Sequence, residues 1–448
     1  MNVPYFAYDW VTPKGVLGNG NPLVAITDDH AFRADESGKG FETPFIKLGF
    51  SPTHMALNAI DISVAEAVKR GVKFVYEMAP LGLMNRALGQ WDNRHHRALF
   101  QHISDEVKTA CRNGKATLLI NASFEGDHLL SAKIFEHIHQ ACKDDWIPIE
   151  SLLFATGNLR ANELYDRWWA AQSEKPQRLK VVSVPLFESM ILDPIRTNPG
   201  NFLSASAART ATNRPKRFLS FNRRAHEHRQ IFVSQVLARG LRDHFHISMS
   251  VPAEGRYSPQ EISLKEWEVV SPTIRTDIQR MIARTPLTVD ADEFKTNHAF
   301  THVVFPYKET YINVVTETQF LDPHDELLFL SEKVYKPIAN YQPFIILGCK
   351  HSLRILREQG YKTFAPFIDE SYDDEVDDYV RMQKILVEIE RISKLPIVEL
   401  DKWYQGIFED VLVHNREMLL SRDTLSELRS NLKPASPLAG HLQRLFGR

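Results

Sequence analysis

The chain has 448 residues, of which 43% are hydrophobic and 25% charged, and a formal net charge of −2 at pH 7. That length exceeds one ordinary core and predicts two domains, while so small a charge gives no global field to draw in nucleic acid or an anionic membrane. Three cysteines, Cys111, Cys142 and Cys349, lack metal-ligand spacing and are odd in number, so they read as buried thiols in a reducing compartment. No basic-then-apolar leader opens the sequence and no run approaches the ~20 apolar residues of a membrane span, so a cytoplasmic protein is expected.

The predicted elements begin in earnest after a Gly- and Pro-rich opening, in which Gly15, Gly18 and Gly20 follow no clear strand. Leu57–Arg70 has helical spacing and stops at Gly71; Val72–Tyr76 reads as a strand that ends in Glu77. A helix over Trp91–Arg112 and a strand over Ala116–Asn121 come next, followed by a polar loop with Glu125 and Asp127. Leu130–Cys142 is helical, Ile149–Thr156 a strand closed by Gly157-Asn158, Ala161–Ala171 a helix and Leu179–Val184 a strand. Strands alternating with helices argue for a parallel, doubly wound α/β sheet. Glu77, Asn121, Glu125, Asp127 and Asn158 then fall along its C-terminal edge, where such sheets bind ligands.

Residues 195–216 shift to Ser, Thr, Ala, Asn and Pro, a composition suited to a linker between domains. A second α/β series starts at the strand Arg217–Phe221, passes the turn Asn222-Arg223-Arg224 with His226, His228 and Arg229, and enters the helix Gln230–Arg239. Further strands are expected over Phe245–Val251, His302–Pro306 and Tyr311–Thr316, with a helix over Thr273–Arg284. A helix from Ser331 to Gln342 precedes the apolar strand Phe344–Leu347, whose run before Gly348 fits burial on both faces. Beyond it are a helix over Ser352–Gln359, a strand over Lys362–Phe367, an acidic stretch Asp373–Asp378 read as solvated surface, and long helices over Val380–Ile392 and Leu400–Leu420.

The segment Ser331-Glu332-Lys333-x-x-Lys336-Pro337-Ile338, followed by Pro343-Phe344-Ile345 and Gly348, resembles the donor-binding element of GT-B glycosyltransferases. It is most similar to the Thr/Ser-Glu-Lys element of the fucosyltransferase-like and exostosin-like groups. Lys336-Pro337-Ile338 departs from the general pattern as a subgroup variant. The resemblance covers about residues 216–375 and implies that Glu332 and Lys333 contact the ribose and phosphates of a nucleotide-sugar. The same residues also fit a plain helix–strand unit whose Glu-Lys is a solvated pair.

Three constellations follow. Asn222, Arg223 and Arg224 stand at a strand exit that opens a helix, where backbone N–H groups and guanidinium forks suit a phosphate; a solvated basic helix start is the bland alternative. Glu317, at the end of the Tyr311–Thr316 strand, stands ready to grip ribose hydroxyls with Glu332 and to orient Lys333 or Lys336, or else simply to pair one of those lysines. In the first half, Glu125 leads Asp127 and Glu77 as the base that would take a proton from an acceptor hydroxyl; each equally fits a structural or substrate-orienting role.

The resemblance implies two Rossmann-like domains facing across a cleft (GT-B-like), with C-terminal helices crossing back onto the first. Residues 1–205 would form the acceptor-side domain and 216–448 the nucleotide-sugar-binding one. The implied activity is transfer of a sugar from a nucleotide-sugar donor to a hydroxyl acceptor, metal-independent and without a cofactor. The alternatives are a non-catalytic nucleotide- or sugar-binding protein of the same fold, and a nucleic-acid-modifying glycosyltransferase. The last would need a basic first domain, and Arg86, Arg94, His95, His96, Arg97 and Lys108 offer only a thin patch. Nucleic acid is therefore not expected as a partner.

Overall fold

The computed structural model describes residues 5–8, 60–78, 100, 103–124, 126–211, 214–252, 262, 264–289 and 303–432. Contacts divide them into two compact units, one ending at Leu186 and resuming at Asp423, the other spanning Phe187–Arg422. The glycine-spaced opening, the thin basic patch up to Arg97, and Glu125 lie outside the described residues.

The first unit is an α/β layer on a parallel sheet with strand order β2-β1-β3-β4-β5-β6: β1 (Tyr5–Tyr8), β2 (Ile60–Ser63), β3 (Phe74–Met78), β4 (Ala116–Ala122), β5 (Leu152–Thr156) and β6 (Lys180–Ser183). Leu118, Leu119 and Ile120 of β4 and Leu152 and Phe154 of β5 are wholly enclosed, as their unbroken apolar runs require of strands covered on both faces. The crossover helices include α1 (Val64–Arg70), α2 (Asp105–Arg112), α3 (Ile134–Asp144) and α4 (Ala161–Ala171). Phe135, Tyr165 and Trp168 pack edge-on and tilted between α3 and α4. The helix expected from Leu57 begins only at Val64, because Ile60–Ser63 instead pairs with β1.

The second unit repeats the plan with order β10-β9-β7-β8, all parallel: β7 (Lys216–Ser220), β8 (Phe245–Ile247), β9 (Thr310–Thr316) and β10 (Phe344–Leu347). Every residue of β9 and β10 is buried. Each unit is thus Rossmann-like, and the α/β class follows from the strand pairing itself. Helices α5 (Leu186–Thr197) and α6 (Ala205–Arg209) open this unit, followed by α7 (Glu227–Ala238) and α8 (Ile274–Ile282), with α11 (Ser352–Glu358) further along. The Ser- and Asn-rich stretch 195–216 therefore lies inside the unit, and the division falls after Leu186. Arg214 anchors that stretch: it is buried, donates to the carbonyls of Ala208 and Lys308, and lies over the Tyr404 ring.

Three expectations for this half are corrected. His302–Pro306 is no strand among its described residues: Phe305–Lys308 is a helical turn, α9, with Pro306 in its first positions, where a missing N–H goes unfelt. Lys362–Phe367 is an irregular segment whose N–H groups are met by side chains, Lys362 by Asn415 and Phe364 by Glu370. The acidic stretch is a solvated face only in part, with Asp374 and Asp377 exposed. Asp373 and Asp378 are buried, Asp373 caps the N–H groups of Leu353 and Arg354, and the Tyr372 hydroxyl accepts the Ile346 N–H of the edge strand β10. The expected C-terminal helix is α13 (Ile397–Ile407) and α14 (His414–Ser421), joined by a π-helical turn over Phe408–Val413. The last described helix, Ser426–Leu432, groups with the first unit.

Candidate functional site

In the second sheet the chain leaves β7 for β8 on one side and later returns to β9 on the other. Such a reversal opens a crevice at the C-terminal ends of the two diverging strands. Ser220, Asn222, Thr316 and Glu317 occupy that edge. The Thr316 hydroxyl donates to Asn222 Oδ1 at 2.9 Å, Asn222 Nδ2 donates to Ser220 Oγ at 3.1 Å, and Ser248 Oγ accepts the Asn222 N–H at 3.2 Å. Asn222 is completely buried, and this net ties the ends of β7 and β9 together.

Helix α10 (Glu332–Ala339) brings its first turn to the same edge. Ser331 is its N-cap, extended at φ −99°, with its hydroxyl oxygen accepting the Lys333 N–H. That hydroxyl donates to Glu317 Oε2 at 2.5 Å, and the Ser331 N–H donates to Glu317 Oε1 at 3.1 Å. Thr318 adds its N–H to Oε2 at 3.3 Å. Glu317 is fully enclosed, and Gly348 leaves it room: a Cβ there would lie 3.3 Å from both Cβ and Cγ of Glu317. Lys333 Nζ then reaches Ser331 Oγ at 3.0 Å, Glu332 Oε1 at 3.2 Å and Thr318 Oγ1 at 3.3 Å.

The charges of this cluster are mutually set. Burial pushes the Glu317 carboxyl up, against Lys333 and the Ser331 donors. Burial also works to raise Glu332, but Lys333 and Lys336 together outweigh it and hold that carboxyl below the usual range. Lys336 is buried, and burial is the main reason its amine is brought down to about 8; Glu332 opposes the shift, and Lys333 and Arg223 add to it. Arg223 is therefore within electrostatic reach of the lysines, and both Arg223 and Arg224 are exposed.

The basic run after β7 divides into two groups. Arg229 is buried and spends its Nη2 on the carbonyls of Thr316 (3.0 Å) and Glu317 (2.9 Å) and its Nη1 on that of Arg224 (3.2 Å). His228 Nε2 lies 3.0 Å from the Glu317 carbonyl, and burial brings its imidazole down to about 3 and that of His226 to about 2. Both rings are neutral, so His228 donates Nε2–H to that carbonyl. Arg229 and His228 thus hold the main chain at Glu317, and the exposed guanidinium groups are those of Arg223 and Arg224.

In the first unit Asp127 is 1% exposed, and its carbonyl accepts Asn158 Nδ2 at 2.9 Å. Asn158 Oδ1 takes the Arg160 N–H, and Asn121 Oδ1 takes both the N–H and the hydroxyl of Ser123. These asparagines shape the turns that leave β4 and β5. Glu77 lies in β3 in register with Leu119. Glu125, as noted, is outside the described residues.

Two residues at or near the second unit's site escaped sequence reasoning. Arg381 lies in helix α12 (Asp378–Ser393), is 1% exposed, and bonds the carbonyls of Gly348 and Phe320. Glu188 in α5 is fully enclosed beside Tyr361 and Arg422. Neither carries a local sequence signal, since each looks like one polar residue of an amphipathic helix. Among the described residues, no group of three or more His, Cys, Asp or Glu is placed to hold a metal ion, and no helix is long and apolar enough to cross a membrane.

No family model and no curated protein matches the chain. Among solved structures, one described as an OtsA apo structure is 9% identical over 84% of this chain and 77% of its own, with a TM-score of 0.39. The alpha,alpha-trehalose 6-phosphate synthase of Burkholderia multivorans is 11% identical over 93% and 78%, with a TM-score of 0.38. The UDP-forming alpha,alpha-trehalose-phosphate synthase of Burkholderia vietnamiensis is 10% identical over 90% and 81%, with a TM-score of 0.36. Likeness at this level carries no argument about activity.

Proposed function

We propose that this chain is a GT-B type glycosyltransferase that moves a sugar from a nucleotide-sugar donor to a hydroxyl acceptor. The reading is supported by one observation above all: Glu332, Lys333 and Lys336 cluster on the first turns of α10, at the switch point of a parallel sheet. A nucleoside diphosphate asks for that chemistry, a carboxylate to accept from ribose hydroxyls and ammonium groups to offset phosphate charge. Negative charge grows on the diphosphate as the glycosidic bond breaks, and cations already in place lower that barrier. Arg223 and Arg224, exposed at the same strand edge, extend the cationic wall. On this reading Glu317 acts indirectly, by ordering Ser331 and Lys333, and protein cations carry the diphosphate without a metal.

The proposal assigns the acceptor to the first unit and its proton to a carboxylate there. Glu125 is the first candidate by its place after β4, with Asp127 and Glu77 behind it. The burial of Asp127 favours a second reading, a nucleotide-binding protein without turnover. A thermal-shift panel of nucleotides and nucleotide-sugars, followed by an assay of released nucleoside diphosphate, separates these readings, because a ligand that binds the native state raises its melting temperature. Stabilisation with release supports the transferase, and stabilisation without release the binding protein. No stabilisation by any nucleotide overturns both.

A further inference from the structure

Arg381 is a cation inside the second unit, 1% exposed, in a helix that also buries the apolar residues Met382, Ile385, Leu386 and Ile389 and the polar residues Asp378 and Glu388. A buried guanidinium is tolerated only when its donors are met. Here Nε donates to the Gly348 carbonyl at 3.2 Å, Nη2 to the Phe320 carbonyl at 2.8 Å and Nη1 to the Glu375 carbonyl at 3.0 Å, with Asp378 as counter-ion. Two of those carbonyls matter for the site. Gly348 follows β10, directly after Leu347, whose carbonyl accepts the Glu317 N–H at 2.9 Å, and a Cβ at Gly348 would lie 3.3 Å from Cβ and Cγ of Glu317. Phe320 follows β9; the guanidinium lies 4.7 Å from its ring, and the ring stacks on His228 with centroids 5.5 Å apart. His228 in turn donates to the Glu317 carbonyl. One guanidinium therefore reaches Glu317 from two sides, through the segment that leaves each of two neighbouring strands.

We propose that Arg381 is a positioning residue for the donor site, setting the place of Glu317 and, through Ser331, that of Lys333. The proposal rests on the donor-site reading for its binding consequence alone. A planar fork is what the arrangement needs, because three carbonyls in different directions cannot be met by the compact ammonium of a lysine. If Arg381 served packing only, its loss would lower stability and leave the Glu317 carboxyl in its enclosed environment.

The test compares Arg381→Lys with Leu386→Ala, a destabilising change at a fully buried neighbour on the same helix. Glu317 is followed by its side-chain carboxyl 13C resonance, assigned with Glu317→Gln, across a pH titration, and affinity for UDP and GDP by calorimetry. Arg381→Lys is expected to return the Glu317 titration toward the ordinary carboxyl range and to weaken nucleotide binding by about tenfold or more. Leu386→Ala should lower the melting temperature and change neither. An unmoved Glu317 titration in Arg381→Lys overturns the proposal, as does an equal shift in Leu386→Ala. Should Arg381→Lys not fold, Phe320→Leu removes one of the two routes and must still shift the titration, or the proposal fails. A parent protein that binds no nucleotide of the thermal-shift panel defeats the donor reading, while the titration still decides the role of Arg381.

Discussion

Glu188 Oε1 lies 2.6 Å from Arg422 Nε, and the pair joins the second residue of the second unit to its last. The Tyr361 hydroxyl donates to the same oxygen at 2.5 Å. Burial pushes the Glu188 carboxyl up, and Arg422 and Tyr361 hold it partly down. Arg422→Met strands a carboxylate that has no exposure, which typically costs about 3–5 kcal/mol. Because the folded carboxyl titrates above its unfolded value, its contribution to stability is full below the unfolded pKa and is lost as pH rises through the folded one. The deficit of the variant should therefore be largest at neutral pH and shrink toward pH 5. Urea unfolding at both pH values measures it, and an equal deficit at each would contradict the burial argument. Adding Glu188→Gln should recover part of the loss.

Glu332→Gln and Lys333→Met should each weaken binding of a nucleoside diphosphate. Glu332 is held ionised by the two lysines, so each change removes a charge-assisted contact that typically contributes ~1.5–3 kcal/mol. That corresponds to about tenfold or more in affinity. Calorimetry is the measurement, with circular dichroism to confirm the fold; unchanged affinity in both variants would reduce the pair to surface chemistry.

Lys336→Met is expected to trade affinity for stability. Its amine is brought down to about 8, chiefly by burial, so folding releases a proton between that value and the unfolded one near 10.5. Parent stability accordingly gains on the variant as pH rises from about 8 to 10.5. At pH 7 the variant should be the more stable, by about 1 kcal/mol, and the weaker binder of diphosphate. A variant that is both less stable and equally tight-binding would show the lysine to be structural.

Glu125→Gln should retain nucleotide-induced stabilisation yet lose most turnover, since removal of a general base costs about 10²–10⁴ in rate. Asp127→Asn, at an enclosed carboxylate, should act mainly on the melting temperature. Near-parental transfer by Glu125→Gln would move the search to Glu77 and Asp127.

The parts of this structure that were legible in the sequence are those that local pattern determines. Phe344–Leu347 is apolar throughout and flanked by Pro343 and Gly348, and it is β10 residue for residue. Ala161–Ala171 likewise appears with its expected bounds. The cap at Ser331 is local in the same way, since a hydroxyl beside a helix start finds its partner two residues on. What could not be read is the partner at a distance. Glu317 and Ser331 are 14 apart and meet only because β9 and α10 share an edge. Arg381 bonds Phe320 from 61 positions away, and its helical spacing announces nothing more than an amphipathic face. Lys362–Phe367 misled in the opposite way, because a short run with Phe364 and Phe367 soon after the helix stop at Gly360 resembles a strand, while Asn415 and Glu370 supply the bonds a strand would need.

The net that ties β7 to β9 has a kinetic corollary. Asn222 and Thr316, whose side chains meet at 2.9 Å, are separated by 94 positions along the chain. Closing so long a loop is entropically slow and must precede any reward from the contact. Helix α7 (Glu227–Ala238) and the neighbouring β7–β8 pair are comparatively local and can form first. Refolding from urea should therefore restore far-ultraviolet circular dichroism ahead of nucleotide binding, because the crevice comes into being only when the late-arriving β9 docks.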